Sequence, residues 1–233
     1  MKVLTWNCNL GFKDSAAKLA DLDADILCIQ ECEELPRNAV DGFEFHWVGN
    51  NKNKGLAILT KGSSKFLENI YRPNFVYFLP IAQEDLLVLG VWAFNGRAKK
   101  FSAESSGYFL DALDHYSAIL QSFSKVVVLG DFNNGPQWDK PGHRNNFEGI
   151  NAALNHLGLV SAYHLSRKED FGKEKLATYF HHKNSDNAFH IDYIYSNFGA
   201  PLSVDVGLFS EWSKSSDHVP VSAQFDLLSN CIK

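Results

Sequence analysis

The sequence predicts a layered α/β protein with mixed β-sheets, and three observations carry that prediction. Strand-like and helix-like segments alternate early in the chain, and strands dominate late. Between Lys125 and Asn134 an aliphatic run, Val126, Val127, Val128 and Leu129, stops at Gly130, Asp131, Phe132 and Asn133, the pattern of a strand covered on both faces. Just ahead of it, Phe109, Leu110, Leu113, Tyr116, Ile119, Leu120 and Phe123 recur at helical spacing, so a helix within Ser105 to Phe123 returns the chain to that strand. With 233 residues and 45% hydrophobic content, the chain can bury a core as one large domain, residues 1–233. No repeat, low-complexity linker or composition shift divides it.

In order, Lys2 to Asn9 alternates through Val3, Leu4, Thr5 and Trp6 and then turns polar, as a strand running to the edge of a site would. Asp14 or Ser15 can cap a short helix with Ala16, Leu19, Ala20 and Leu22 on its apolar face. Asp25 to Glu33 is a second buried-type strand, ending in Gln30 and Glu31. Phe43 to Val48 and Gly55 to Thr60 predict two strands joined by a flexible polar loop, Gly49 to Lys54, able to meet an anionic ligand. Phe75 to Leu79 and Leu86 to Phe94 predict a hairpin. After Asn134 the Gly- and Pro-rich stretch through Asn146 excludes regular structure and is placed at a substrate entrance. A helix over Phe147 to Leu157 and strands over Leu159 to His164, Thr178 to His181, Phe189 to Ser196, Val204 to Phe209 and Val219 to Leu227 complete the chain, with a solvated loop from Arg167 to Lys175.

Composition narrows the function. No apolar run approaches membrane-spanning length and nothing near the first residue resembles a signal segment, so the expectation is a cytoplasmic protein with no membrane span, and a monomer. Cys8, Cys28, Cys32 and Cys231 lack metal-finger spacing and are expected as reduced, mostly buried thiols. A formal net charge of -5 disfavours the broad basic surface that grips long duplex nucleic acid.

Polar residues gather at strand ends. Asp131 and Asn133, two apart at the end of a central strand, are expected to point the same way into the crevice where α/β sheets bind ligands. The Gly-Asp-x-Asn stretch alone also reads as a turn, and a lone Glu31 after a strand also reads as a solvated residue. Asp192, between Ile191 and Tyr193, is costly to bury without a donor such as a histidine, and His218 in SSDHVP is available. His181 and His182, as neighbours on a strand, would face opposite ways and share no ion.

The ordered series WN, QE, GDFN, IDY and SDH, running from the WNCN opening to SDHVP, resembles the endonuclease/exonuclease/phosphatase family of deoxyribonuclease I-like proteins. The resemblance implies a four-layer sandwich of two packed mixed β-sheets flanked by helices, with the site at the mouth between the sheets. It implies a divalent ion, Mg²⁺ or Mn²⁺, held chiefly by Glu31 with Asn7 and Asp217. Asp131 with Asn133 would position and deprotonate a water, and His218, held by Asp192, would contact a phosphoryl oxygen or assist proton transfer. Thr178 is assigned to support or substrate contact. The family's phosphate-contacting His or Tyr after the Leu86 to Phe94 strand is absent; Trp92 and Ala93 stand there, with Lys54 the leading replacement and Tyr108 or Arg97 behind it. His190 stands where the family often has Arg.

The leading expectation is therefore a metal-dependent phosphoesterase, a nuclease or phosphodiesterase, with Trp92 stacking a base and His143 and Arg144 contacting nucleic acid. Two alternatives stand beside it. One is a phosphomonoesterase acting on a small phosphorylated metabolite or lipid headgroup; the other is a non-catalytic binding module on the same fold.

Overall fold

A computed structural model describes residues 1–75, 77–94 and 109–227. Two six-stranded mixed sheets pack face to face. The first has the order β13-β14-β1-β2-β4-β3 and the second β5-β6-β7-β8-β12-β9, where the strands are β1 Lys2–Asn7, β2 Ile26–Cys32, β3 Phe43–Asn51, β4 Lys54–Lys61, β5 Lys65–Phe66, β6 Phe78–Gln83, β7 Leu86–Trp92, β8 Lys125–Asp131, β9 Val160–Ser161, β12 Asp192–Ser196, β13 Ser203–Val206 and β14 Val221–Gln224. A separate two-stranded ribbon pairs β10 Tyr179–Phe180 with β11 Ala188–Phe189. Each large sheet has one parallel pair near its centre, β1 with β2 and β7 with β8, and antiparallel neighbours outside it.

Alternation along these strands builds four layers. Val3, Ile26, Cys28, Ile58, Leu79, Val88, Val127, Leu129 and Ile194 turn inward and form the core between the sheets. The opposite faces are covered by helices. Leu87, Leu89, Val126 and Val128 pack under α2 (Phe109–Ser122) and α3 (Phe147–His156), and Leu4, Trp6, Leu27 and Ile29 pack under α1 (Phe12–Ala20) and α5 (Phe209–Trp212). A short α4 (Ala162–Arg167) precedes the ribbon. Fully burying one such aliphatic side chain is worth about 1.5–3 kcal/mol, so the run in β8 alone explains why that strand is central. The sheets pack tightly where Gly90 faces the other sheet: a Cβ there would lie 2.8 Å from Ile58 Cδ1 and 3.0 Å from Cys28 Sγ.

Several expectations change. Helix α1 begins at Phe12 behind Gly11 with no side-chain cap, and it buries Phe12, Ser15 and Leu19 rather than being capped by Asp14 or Ser15. Gly49 to Lys54 is not a loop, because β3 and β4 run on to a tight turn at Lys52 and Asn53, where Asn51 Oδ1 accepts the Asn53 N–H at 3.0 Å. Only Val160 and Ser161 of the Leu159 to His164 segment are strand; Ala162, Tyr163 and His164, all buried, form the start of α4. His181 and His182 lie in a 3-10 turn, His182 at φ 54, and their rings stand 3.9 Å apart instead of on opposite faces of a strand. Cys8, Cys28 and Cys32 are free and buried. The expected helix residues before Phe109, with Arg97, Tyr108 and Cys231, lie outside the described residues.

Candidate active site

The parallel pairs β1–β2 and β7–β8 end at one edge of the sandwich, and the polar residues collect there. Asn7 closes β1 on the inner face shared by Val3 and Thr5. Its amide donates to Asp131 Oδ2 at 3.0 Å and lies 3.4 Å from Glu31 Oε1, so it ties one sheet to the other. Regular alternation would carry Glu31 after Ile29 onto the helix-covered face. Instead the register shifts between Gln30 and Cys32 and Glu31 takes φ 57, a bulge that aims its carboxylate at Asn7.

Asp131 is fully buried at the end of β8, directly opposite Asp192 in the register with β12. Its approach depends on Gly130, whose φ is +151 and where a Cβ would fall 1.8 Å from Val91 O. Asn133 lies beyond the strand at φ 47, so it reaches Asp131 through a turn rather than by strand alternation. Its N–H donates to Asp131 Oδ1 at 2.8 Å, and its amide donates to Ala93 O at 3.0 Å and Asp131 Oδ2 at 3.1 Å. The stretch is thus a turn, and the turn brings Asn133 onto Asp131.

His218 Nδ1 meets Asp192 Oδ2 at 2.9 Å, and its Nε2 stands 3.9 Å from Asp131 Oδ2. The segment before β14 holds the ring in place: Ser216 Oγ donates to Asn7 O at 2.7 Å and accepts the His218 N–H, while Trp6 Nε1 donates to His218 O. Burial opposes charge on His218, but the carboxylates of Asp192 and Asp131 outweigh it and push the imidazole up to about 9. Burial, reinforced by the Asp192 charge, pushes Asp131 up to about 7 against the pull of His218 and the Asn7 amide. Asp217 sits one residue before the histidine, with Oδ1 3.4 Å from Ser216 Oγ.

The remaining expected contacts divide. Lys54, on β4, places Nζ 2.7 Å from Glu31 Oε2 and 5.4 Å from the Trp92 ring centroid, so it reaches the mouth as an ion-pair partner of a site carboxylate. Trp92 is 3% exposed, stacks on Tyr77 with centroids 5.0 Å apart and packs against Phe94 at 4.8 Å; with so little of the indole open to a ligand, it is a core residue. Thr178 is wholly buried and touches no ligand space. Its Oγ1 accepts the N–H groups of Ile191 and Asp192 at 3.0 and 3.1 Å, which makes it a support for the aspartate. Arg144 pairs with Asp111 of α2, which ties the loop to the body, while His143 closes a turn onto Lys140 within the loop.

Sequence reading missed an aromatic wall. Tyr179 lies over His218 with ring centroids 4.7 Å apart, and its hydroxyl bonds His181 Nδ1 at 2.7 Å. Burial first, then the charges of Asp217, Asp131 and Glu31, raise its pKa. Phe189 on the paired strand stacks against Tyr179 and meets Trp138 at 5.0 Å. The signal was present in the period-two spacing of the ribbon, but two-residue strands are too short for periodicity to declare.

The donor chemistry fits a hard divalent ion on the Glu31 side. Glu31 and Asp217 carry carboxylate oxygens, Asn7 an amide oxygen that accepts the Asn9 N–H, and Glu31 already attracts a cation in Lys54. Asp131, Asp192 and His218 also bring ligand atoms within 4.8 Å of one another. That buried trio is instead consumed by hydrogen bonds, His218 Nδ1 on Asp192 and Asp131 Oδ2 on two amides, although Asp192 Oδ1 is left without a partner.

Two mixed sheets under flanking helices, with a His–Asp pair and amide-held carboxylates at their common edge, define the deoxyribonuclease I-like class. Residues 4–218 match the Endonuclease/Exonuclease/phosphatase family, and the chain belongs to that family. Its architecture is similar to that of a 3'-5' exonuclease (NExo) from Neisseria meningitidis, with TM-score 0.74 and 22% identity, covering 97% of this chain and 100% of that one. A 3' phosphatase NExo from Neisseria bound to product DNA hairpin gives TM-score 0.75 at 22% identity, covering 97% and 99%. An AP endonuclease from Archaeoglobus fulgidus gives 0.72 at 18%, again covering 97% and 99%. At these identities the likeness establishes the fold.

Proposed function

We propose that this protein is a divalent-metal-dependent phosphoesterase that cleaves phosphodiester bonds of nucleic acid. The observation that carries the reading is Asp131, fully buried, held by Asn7 and Asn133 and facing a His218 that Asp192 orients. Membership of the family supports phosphate-ester hydrolysis, and the neighbour bound to a DNA hairpin supports a nucleic-acid substrate.

In this reading Asp131, with its pKa lifted to about 7, accepts a proton from water near neutral pH, while Asn7 and Asn133 fix the direction of its lone pairs. His218, cationic at neutral pH and with Nδ1 engaged by Asp192, presents Nε2–H to a phosphoryl oxygen and stabilises the charge that gathers there. Glu31, Asn7 and Asp217 would hold Mg²⁺ or Mn²⁺, which when bound supplies positive charge against the phosphoryl oxygens. Tyr179 covers the His218 ring and excludes water from it.

Purified protein is assayed with Mg²⁺ or Mn²⁺ against single-stranded and duplex DNA, RNA, a 3'-phosphorylated oligonucleotide, methyl p-nitrophenyl phosphate and p-nitrophenyl phosphate. Cleavage of a diester that is abolished by chelation, and cut by roughly 10² or more in Asp131→Asn, is the expected result. The phosphatase activity of a structural neighbour favours a second reading, removal of a terminal phosphate, which would show as inorganic phosphate released from the 3'-phosphorylated strand alone. Failure to hydrolyse any phosphate ester would overturn both and leave the binding module.

A further inference from the structure

Leu10 is the only aliphatic residue with positive φ among the described residues, at φ 67, and it follows Asn9 at φ 45. The Gly11 N–H donates to Cys8 O at 2.8 Å, so Cys8 to Gly11 is a turn with both central residues left-handed, the form that Gly, Asn and Asp fill readily and a leucine does not. Glycine is present one position later, where φ is an ordinary -98 but a Cβ would lie 3.1 Å from Cys8 O and 3.2 Å from Ser215 O. The turn therefore spends its glycine on close packing and leaves a leucine in the strained place.

That place is at the mouth. The Leu10 N–H donates to Glu31 O at 3.2 Å, and the Asn9 N–H donates to Asn7 Oδ1 at 3.1 Å. Gly11 packs on the segment that carries His218. Three site-bearing segments thus fix the turn, yet the Leu10 side chain is 54% exposed and belongs to none of the three apolar cores. A single exposed leucine needs no explanation, but one held in a disfavoured conformation against the backbone of a site residue does.

We infer that Leu10 is an apolar wedge that packs against a base beside the scissile phosphate, unstacking it from its neighbour and seating the strand in the mouth. The inference rests on the nucleic-acid reading of the site. It also answers how a chain of net charge -5 grips its substrate: by local apolar contact at the mouth rather than by a broad basic surface.

The test uses full-length protein in chelator, with anisotropy of a fluorescein-labelled oligonucleotide, single-stranded or with a frayed duplex end, and thermal melts alongside. Leu10→Gly relieves the backbone and should melt about 2–4 °C higher. It should also bind the oligonucleotide about tenfold more weakly, the effect of losing one well-packed apolar contact. Leu10→Met, which keeps an apolar side chain, should restore binding to within about twofold of wild type. With metal, the ratio of kcat/KM on the oligonucleotide to that on methyl p-nitrophenyl phosphate should fall in Leu10→Gly alone. Equal oligonucleotide affinity in wild type and Leu10→Gly would overturn the wedge, and so would no oligonucleotide binding by wild type. In that second case, hydrolysis of the small esters still decides separately whether the site is a phosphoesterase.

Discussion

Removing the charge of His218 should cost this protein more stability than any surface substitution, and the amount follows from its surroundings. The ring is 4% exposed, Asp192 is wholly buried, and 2.9 Å separates Nδ1 from Oδ2. The rise of the imidazole pKa from the ordinary 6.5 to about 9 corresponds to about 3 kcal/mol of folding free energy. That agrees with the about 3–5 kcal/mol typical of stranding one member of a buried ion pair. His218→Gln should therefore lower the melting temperature at pH 7 by about 6–12 °C, and Asp192→Asn should also destabilise. The double variant, a neutral amide pair, should recover much of the loss, giving a coupling energy above about 1 kcal/mol in a double-mutant cycle. The sign with pH is fixed. A base whose folded pKa is raised stabilises fully below 6.5 and loses that contribution as pH rises through 9, so wild type should lose stability relative to the double variant across that window. Additive single effects, or parallel pH curves for wild type and double variant, would refute the buried charge pair.

Other substitutions test the supports. Thr178→Val leaves two buried N–H groups without their acceptor and should cost about 2 kcal/mol or more, with kcat falling as Asp192 loosens; Thr178→Ser should retain both, by melts and steady-state kinetics. Trp92→Ala should destabilise by about 3–5 kcal/mol in urea titrations while KM stays near wild type for whatever protein folds, the signature of a core ring rather than a base platform. Lys54→Ala frees Glu31 from its ammonium partner and should tighten Mn²⁺ binding by about fivefold or less in calorimetry without substrate, the scale of a partly exposed pair.

Much of this fold was legible because its signals are long. The β8 run and the six periodic apolar positions within α2 declare themselves, since burial on both faces or along one stripe leaves a pattern over many residues. The ordered polar series likewise placed Asn7, Glu31, Asp131, Asp192 and His218 in one neighbourhood, and the hydrogen bonds join them. What stayed hidden depends on single backbone angles or on tertiary context. The bulge that turns Glu31 toward Asn7 is one residue with φ 57, and strand alternation predicts the opposite face. Polar content around Asn50 to Asn53 suggested a loop, whereas cross-strand pairing extends β3 and β4 almost to the tip. The indole of Trp92 reads equally as wall or core until Tyr77, remote in sequence, is found stacked on it. Tyr179, Phe189 and Trp138 converge through a ribbon too short to leave a pattern.

The Asn7–Asp131 hydrogen bond crosses from one sheet to the other over 3.0 Å, and among the described residues no disulfide near the mouth keeps the two sheets aligned. Their alignment is set deep in the sandwich, where Gly90 lets Ile58 and Cys28 come close. Sliding one sheet past the other by an ångström would break the bridge while leaving every strand ladder intact, because ladders run within sheets and the bridge runs between them. If the site hydrolyses phosphate esters as proposed, turnover acts as a vernier on sheet alignment: on heating, activity should fade at a lower temperature than far-UV ellipticity, and packing changes in the shared core should behave as catalytic lesions although they lie far from the mouth.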